Sequence, residues 1–181
     1  EQLGNEDSNT ENDFFVKFNS NSGDILWSVT TESDPNIQYN WNLASSFTRN
    51  AVLSNGDILF FPYYNYYWDA DSVNIFKLNS SNGDITTVDN VDFPARIRVI
   101  EVDDNDNIYI SSQIDNDGTN NYYTSSLIKY DSNLNVLWNM DIDDNGSGNN
   151  DAQVYDIEYD STNNLLYVAG RARAANINPL G

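Results

Sequence analysis

The chain has 181 residues, of which 39% are hydrophobic and 13% aromatic, and it carries 28 acidic and 8 basic side chains with no histidine and no cysteine. The net charge of −20 argues against nucleic acid and anionic membranes as partners, because both are bound through clustered Lys and Arg. The lack of cysteine excludes disulfides and thiolate chemistry, and no apolar run approaches the ~20 residues that membrane insertion as a helix would need.

Three segments of the chain follow one pattern that predicts a β-hairpin. Each has an apolar strand containing a lysine, then a turn rich in Asn, Asp and Ser, then a second apolar strand. These three "lysine hairpins" span residues 14–27, 73–85 and 127–138.

A second kind of hairpin alternates with the first. These "alternate hairpins" span residues 50–60, 100–110 and 157–168. Their Asn-Gly, Asn-Asp and Asn-Asn pairs stand where a tight turn needs residues that tolerate positive φ. No stretch of the chain has a helical period, so the sequence predicts an all-β protein.

The recurring lysines Lys17, Lys77 and Lys129 are 60 and 52 residues apart. Two hairpins per period give four strands, which is the strand count of a β-propeller blade. The sequence therefore predicts one repeat region, 1–181, of about three four-stranded units at approximately 13–70, 71–122 and 123–175. Since closed propellers have roughly four to eight blades, three units form an incomplete propeller, and we expect a longer protein or further copies of the chain to complete it.

The run 17–27 resembles the quinoprotein-type propeller repeat, in which a turn with Gly precedes a strand ending in Trp. The resemblance implies that Trp27 and Trp138 dock against a neighbouring blade, whereas the second repeat has Thr87 nearby and no Trp. Residues 144–170 look like the connecting half of related bacterial surface-protein propeller repeats. The matching positions belong to the structural repeat, so no quinone cofactor is expected.

The acidic loop after the third lysine hairpin is a candidate calcium site. Ca²⁺ takes about six to eight oxygen ligands, and acidic or amide side chains at alternate positions around Gly146 supply them in calcium loops. The candidate ligands are Asp141, Asp143, Asn145, the carbonyl of Ser147, Asn149 and Asp151. Ala152 stands where such a loop would have its final Glu, and the alternative interpretation is a solvated polar loop between blades.

An aromatic run between the first two units is a candidate binding surface. Its candidate members, which cannot easily all be buried, are Tyr63, Tyr64, Tyr66, Tyr67 and Trp68. Alternation along a strand would bury only one set of these rings. The alternatives are packing between blades, a protein interface and a carbohydrate surface on which the rings stack.

Two N-glycosylation sequons place candidate glycans at Asn79 and Asn145, both in predicted turns. Chance matches are expected in a chain this rich in Asn and Ser. A glycan on Asn145 would also compete with calcium at the same loop.

The sequence offers little catalytic chemistry, with no histidine as a base and no serine in a nucleophile elbow. It predicts a non-enzymatic, extracellular or cell-surface β-propeller repeat protein with a structural or adhesive role. Its expected partners are neighbouring blades, copies of itself, and protein or glycan at the aromatic surface. The alternatives are a subunit of an extracellular filament, and a non-catalytic part of a quinoprotein-like or carbohydrate-active enzyme.

Overall fold

The computed structural model describes six stretches of the chain. They are residues 14–30, 49–61, 73–91, 97–115, 123–142 and 152–172. These stretches contain strands and turns and no helix, which confirms the all-β prediction. Accordingly, no helix with the length and apolar character of a membrane span occurs in them.

Each stretch contains one complete hairpin. The strands are β1 (Phe14–Phe18), β2 (Ile25–Thr30), β3 (Arg49–Val52), β4 (Ile58–Phe61), β5 (Val73–Leu78), β6 (Ile85–Val91), β7 (Ile97–Val102), β8 (Ile108–Asp115), β9 (Tyr123–Tyr130), β10 (Val136–Ile142), β11 (Ala152–Asp160) and β12 (Leu165–Ala172). All six predicted hairpins are therefore present.

The strands form two four-stranded and two two-stranded antiparallel sheets. One four-stranded sheet has the order β3-β4-β5-β6 and the other β7-β8-β9-β10, while β1–β2 and β11–β12 are each two-stranded. Each four-stranded sheet joins an alternate hairpin to the lysine hairpin that follows it in the chain. A sheet thus combines the second half of one predicted sequence unit with the first half of the next.

The turns explain why the hairpins form where they do. In β1–β2 the N–H of Gly23 donates to the carbonyl of Asn19, and in β5–β6 the N–H of Gly83 donates to that of Asn79. Both glycines have positive φ, +75° and +79°, a conformation that costs a side-chain-bearing residue energy. In β7–β8 the same kind of conformation is taken by Asp106, at +61°.

The sheets pack face to face through three apolar clusters, and alternation along the strands supplies a buried row to each. The cluster between the two four-stranded sheets contains Ala51, Leu53, Leu59, Phe61, Ile75, Ile97, Ile108, Ile110, Ile128, Tyr130 and Leu134. The cluster between β1–β2 and the first four-stranded sheet contains Phe15, Phe76 and Leu78. The cluster between the second four-stranded sheet and β11–β12 contains Tyr109, Leu127, Val154 and Ile157.

The four sheets are therefore arranged in chain order. The first strand of the middle alternate hairpin, β7, contacts both β3 and β11, the first strands of the other two, so these strands share one side of the array. In the described strands, β1 and β12 are not paired with each other.

Candidate functional site

The most highly connected polar group in the described residues is the carboxylate of Asp103. It lies at the start of the β7–β8 turn and is 5% exposed. Its Oδ1 accepts hydrogen bonds from the backbone N–H groups of Asn105 and Asn107, both at 2.9 Å. Its Oδ2 accepts from the side-chain amide of Asn107 at 2.8 Å and from the hydroxyl of Tyr109 at 3.0 Å.

A lysine from the neighbouring hairpin completes this arrangement. Lys129 lies opposite Tyr109 in the β8–β9 register. Its ammonium is 3.4 Å from Oδ2 of Asp103 and 4.8 Å from the centroid of the Tyr109 ring. The indole of Trp138, opposite Lys129 on β10, has its centroid 6.0 Å from the same ring. We call Asp103, Tyr109, Lys129 and Trp138 the Asp103 cluster.

Asp103 and Lys129, the two charged members of the cluster, are held in their ionised forms. Burial opposes ionisation of Asp103, but the hydrogen bonds from Asn107, Asn105 and Tyr109 outweigh it and lower the pKa of this carboxyl. Burial also opposes the charge on Lys129, yet its contacts with Tyr109 and Asp103 raise the pKa of the ammonium. Burial raises the pKa of Tyr109. These pKa shifts indicate a fixed ion pair that joins two hairpins. They do not indicate a group that exchanges protons near neutral pH.

The first four-stranded sheet has a related contact. Lys77, opposite Leu59 on β4, forms a salt bridge of 3.2 Å with Asp57 in the β3–β4 turn. The backbone N–H of Ser80 donates to Oδ1 of Asp57 at 3.1 Å, and this bond is the main reason that the pKa of Asp57 is lowered. Both four-stranded sheets therefore join their two hairpins with one lysine and one carboxylate.

The two tryptophans of the lysine hairpins have different surroundings. Trp27 contacts the β5–β6 turn of the next sheet, where its Nε1–H donates to the carbonyl of Ser80 at 3.1 Å. The ammonium of Lys17 donates to the same carbonyl at 2.7 Å. The Trp27 ring lies so close to Gly83 that a Cβ there would be 2.9 Å from it. Trp138 is 39% exposed and contacts Tyr109 of its own sheet.

The structure describes only one of the predicted calcium ligands. Asp141 lies on β10, and its Oδ1 accepts a hydrogen bond from the hydroxyl of Ser126 at 2.8 Å. The other five lie outside the described residues: Asp143, Asn145, Ser147, Asn149 and Asp151. Across the parts of the chain that the structure describes, no three acidic, His or Cys side chains are grouped as a metal site would need.

The remaining predicted sites divide in the same way. The aromatic run lies outside the described residues: Tyr63, Tyr64, Tyr66, Tyr67 and Trp68. Of the two sequons, that at Asn145 is also outside them, whereas Asn79 is exposed at the start of the β5–β6 turn. The side-chain oxygen of Asn79 accepts hydrogen bonds from the backbone N–H and the hydroxyl of Ser81, at 2.9 and 2.6 Å.

Sequence reasoning missed the Asp103 cluster. The Asn-Asp pair of the second alternate hairpin indicates a tight turn and the lysines indicate the repeat, and neither pattern alone indicates a contact between Asp103 and Lys129. The available signal was that each lysine is the second-to-last residue of its strand, and that the alternate hairpins before Lys77 and Lys129 have an acidic residue in the turn, Asp57 and Asp103. Only the pairing of β8 with β9 brings the two together.

Large apolar side chains are exposed mainly on the outer strands of the array. They include Phe14 and Phe18 of β1, Ile25 and Leu26 of β2, Val136, Leu137 and Met140 of β10, and Leu165, Tyr167 and Val168 of β12. Such side chains on strands with an open edge are typical of surfaces that a further strand or a partner covers.

Comparisons with known proteins identify no relative of the chain, so it is classified by its fold alone. No family model, no curated protein and no solved structure matches it. The class that the coordinates define is an all-β protein of stacked antiparallel hairpin sheets.

Proposed function

We propose that the chain is a β-propeller-like repeat segment of an extracellular or cell-surface protein, and that it serves as a non-catalytic scaffold for protein or glycan contacts. The propeller interpretation is supported by two four-stranded sheets of identical strand order that pack face to face. It is also supported by the contacts of β3 with β7 and of β7 with β11, because the first strands of propeller blades line the central axis.

The scaffold role is supported by the chemistry of the Asp103 cluster. A catalytic acid or base needs a pKa near the working pH and access to a substrate. Asp103 is buried, its pKa is lowered, and both of its oxygens accept hydrogen bonds within the sheet. Such a group stabilises the junction of two hairpins.

The contact role rests mainly on one observation, the large apolar side chains that are exposed on β1, β2, β10 and β12. A charge of −20 keeps the rest of the surface soluble, so these strands and the predicted aromatic surface are where a partner gains contact area. The location outside the cell follows from the resemblance of the repeat to surface-protein propellers and is part of the proposal.

A glycan array and a panel of extracellular matrix proteins test the contact role. We expect the wild-type chain to bind members of one of these classes, and the variant with Tyr64→Ser, Tyr67→Ser and Trp68→Ser to lose that binding. Tyr155→Ser is the matched control, since Tyr155 is an equally aromatic side chain, 55% exposed, outside the aromatic run. Loss of binding in the control as well, or no binding by the wild-type chain to either panel, would contradict the proposal.

A further inference from the structure

The two-stranded sheets correspond to the two halves of one four-stranded sheet. The β11–β12 hairpin repeats the geometry of β7–β8: Glu158 pairs with Tyr167 as Glu101 pairs with Tyr109. In both hairpins a register shift ends two residues before the glutamate. The sheet β11–β12 is thus an alternate hairpin whose lysine hairpin is not among the described strands.

The β1–β2 hairpin supplies the complementary half. Lys17 pairs with Trp27 on its neighbouring strand as Lys129 pairs with Trp138. In the four-stranded sheets the lysine strand continues the sheet from an alternate hairpin, β5 on β4 and β9 on β8. Among the described strands, β1 has no such neighbour.

The side chains at the edges of β1 and β12 are more exposed than those at the corresponding positions of the four-stranded sheets. Tyr109 pairs with the lysine strand β9 and packs against Val154 and Ile157 of the next sheet, and it is 5% exposed, whereas the corresponding Tyr167 of β12 is 57% exposed. Leu78 and Tyr130, which end β5 and β9, are 0% and 1% exposed, whereas the corresponding Phe18 of β1 is 57% exposed. The same positions are buried where a sheet has four strands and a neighbouring sheet packs on it, and they are exposed on β1 and β12, which lack the adjoining hairpin.

We propose that β1 of a second copy of this chain pairs antiparallel with β12 and completes a four-stranded sheet. The registers of the complete sheets fix the pairing: Lys77 lies opposite Leu59 and Lys129 opposite Tyr109, so Lys17 of one copy lies opposite Tyr167 of the other. Val16 then faces Val168, and Phe18 faces Leu166.

This pairing rebuilds the Asp103 cluster between two chains. Asp160 follows Glu158 by two residues, as Asp103 follows Glu101, and its Oδ1 accepts a hydrogen bond from the backbone N–H of Thr162 as Asp103 does from Asn105. Lys17 is opposite in charge to Asp160 and, while its ammonium also donates to the carbonyl of Ser80, it reaches Asp160 as Lys129 reaches Asp103. Trp27 covers Tyr167 as Trp138 covers Tyr109.

A second contact arises from the same joint. Within one chain, Trp27 covers Gly83 and donates to the carbonyl of Ser80 in the next sheet. The β1–β2 turn has the same bonding as the β5–β6 turn, yet a Cβ at its Gly23 would meet nothing within 4 Å. In the proposed joint, the β1–β2 turn of the second copy lies next to β10. The open space at its Gly23 then lies under the exposed ring of Trp138, as Gly83 lies under Trp27. Two positions left open in the single chain therefore fit each other.

The inference rests on the propeller-like architecture of the proposed function. One chain joined to itself would hold three four-stranded sheets, below the roughly four that closed propellers need. Counted over the described strands alone, two chains joined at both edges hold six such sheets, and a head-to-tail contact that closes in this way gives a finite ring. The occupant that matches β12 in register, charge and ring placement is accordingly β1 of a second copy.

Engineered cysteines test the joint directly, because the chain has no cysteine of its own. A Val16→Cys variant is mixed with a Val168→Cys variant under mild oxidation. Cross-strand neighbours lie within disulfide reach, so we expect a disulfide-linked heterodimer of twice 20.5 kDa as the main product. The control mixture pairs Val16→Cys with Tyr155→Cys, which is exposed on β11 and away from the open edge. Equal yields in the two mixtures, or no heterodimer in either, would overturn the proposal.

Charge reversal and mass provide the second measurement. We expect light scattering of the unmodified chain to give twice the single-chain mass, and Asp160→Lys to weaken the association roughly tenfold by placing like charges opposite each other. Lys17→Glu in the same chain as Asp160→Lys restores it. A chain that stays monomeric, or a double variant as weak as the single one, would overturn the joint. Ligand binding is measured separately in the array experiment. Ligand binding without self-association would contradict only the proposed joint. Self-association without ligand binding would contradict only the proposed contact role.

Discussion

Lys129 and Asp103 form an ion pair of 3.4 Å between two hairpins that the sequence separates by 26 positions. The pair lies where β8 meets β9, the junction at which an alternate hairpin and a lysine hairpin become one sheet. Lys77 and Asp57 occupy the corresponding junction of the other four-stranded sheet. In both four-stranded sheets the recurring lysine therefore joins two hairpins through an ion pair, which its spacing in the sequence alone does not show.

Removing the carboxylate of Asp103 tests the role of this ion pair. Asp103→Ala leaves Lys129 and Asn107 without a buried acceptor, and breaking a buried pair costs about 3 kcal/mol of the free energy of unfolding. Asp103→Asn keeps one acceptor oxygen and costs less. Urea denaturation measures both, with Asp104→Ala as the control, because Asp104 is the exposed neighbour in the same turn. Equal losses for Asp103→Ala and Asp104→Ala would contradict the structural role of the cluster.

The same carboxyl predicts a pH dependence. Because the pKa of folded Asp103 is below its ordinary value, its contribution to stability is fully present above the unfolded pKa of about 3.9. The contribution is lost as pH falls through the lowered folded value. The difference in unfolding free energy between wild type and Asp103→Asn is therefore constant from neutral pH to about pH 5 and shrinks below about pH 4. A difference that grows on acidification would reverse the assigned direction.

The pKa of Glu101 is shifted in the opposite direction to that of Asp103. Burial raises its pKa most, and the charges of Glu158 and Asp156 add to the rise, while the backbone N–H of Tyr159 partly opposes it. A raised folded pKa means that the ionised carboxylate destabilises the fold at neutral pH, so Glu101→Gln should raise the melting temperature at pH 7. The gain fades as pH falls through the folded pKa toward the unfolded value of about 4.3. Glu158→Gln, at an exposed position, should give a smaller gain, and thermal scans across pH compare the two.

Calcium binding at residues 141–151 is a proposal with a thermal test. An ion that binds only the folded chain raises its melting temperature, so we expect a rise on adding Ca²⁺ that disappears in Asp143→Ala. Mg²⁺ at the same concentration controls for screening of the negative charge. No rise in the wild-type chain, or an equal rise in Asp143→Ala, would remove the proposed site.

The hairpins could be predicted from local sequence, whereas their assembly into sheets could not. Turn chemistry and alternation act over a few residues, so all six hairpins could be predicted from the chain. Which two hairpins share a sheet depends on the pairing of β4 with β5 and of β8 with β9, and the residues of each hairpin do not specify that pairing by themselves. Leu134 shows the limit in one residue: it takes a φ of +65° in the β9–β10 turn, which its type disfavours, while its side chain is buried in the main cluster at 8% exposure.

Gly83 and Gly23 form a matched pair for testing the docking of Trp27. An alanine at either position has similar backbone strain, since the φ values are +79° and +75°. At Gly83 the new Cβ also meets the Trp27 ring at 2.9 Å, whereas at Gly23 it meets open space. In dilute solution, where the chain is single, Gly83→Ala should cost about 1 to 3 kcal/mol more unfolding free energy than Gly23→Ala, the range for overpacking.

A double-mutant cycle isolates the ring contact. The excess cost of Gly83→Ala should disappear in a Trp27→Ala background, because the alanine then meets no indole, while the cost of Gly23→Ala stays the same there. At concentrations that favour the proposed joint, Gly23→Ala gains a cost of its own, since its turn then lies under Trp138 of another copy. An excess at Gly83 that survives removal of Trp27 would assign it to backbone strain and contradict the docking of that ring.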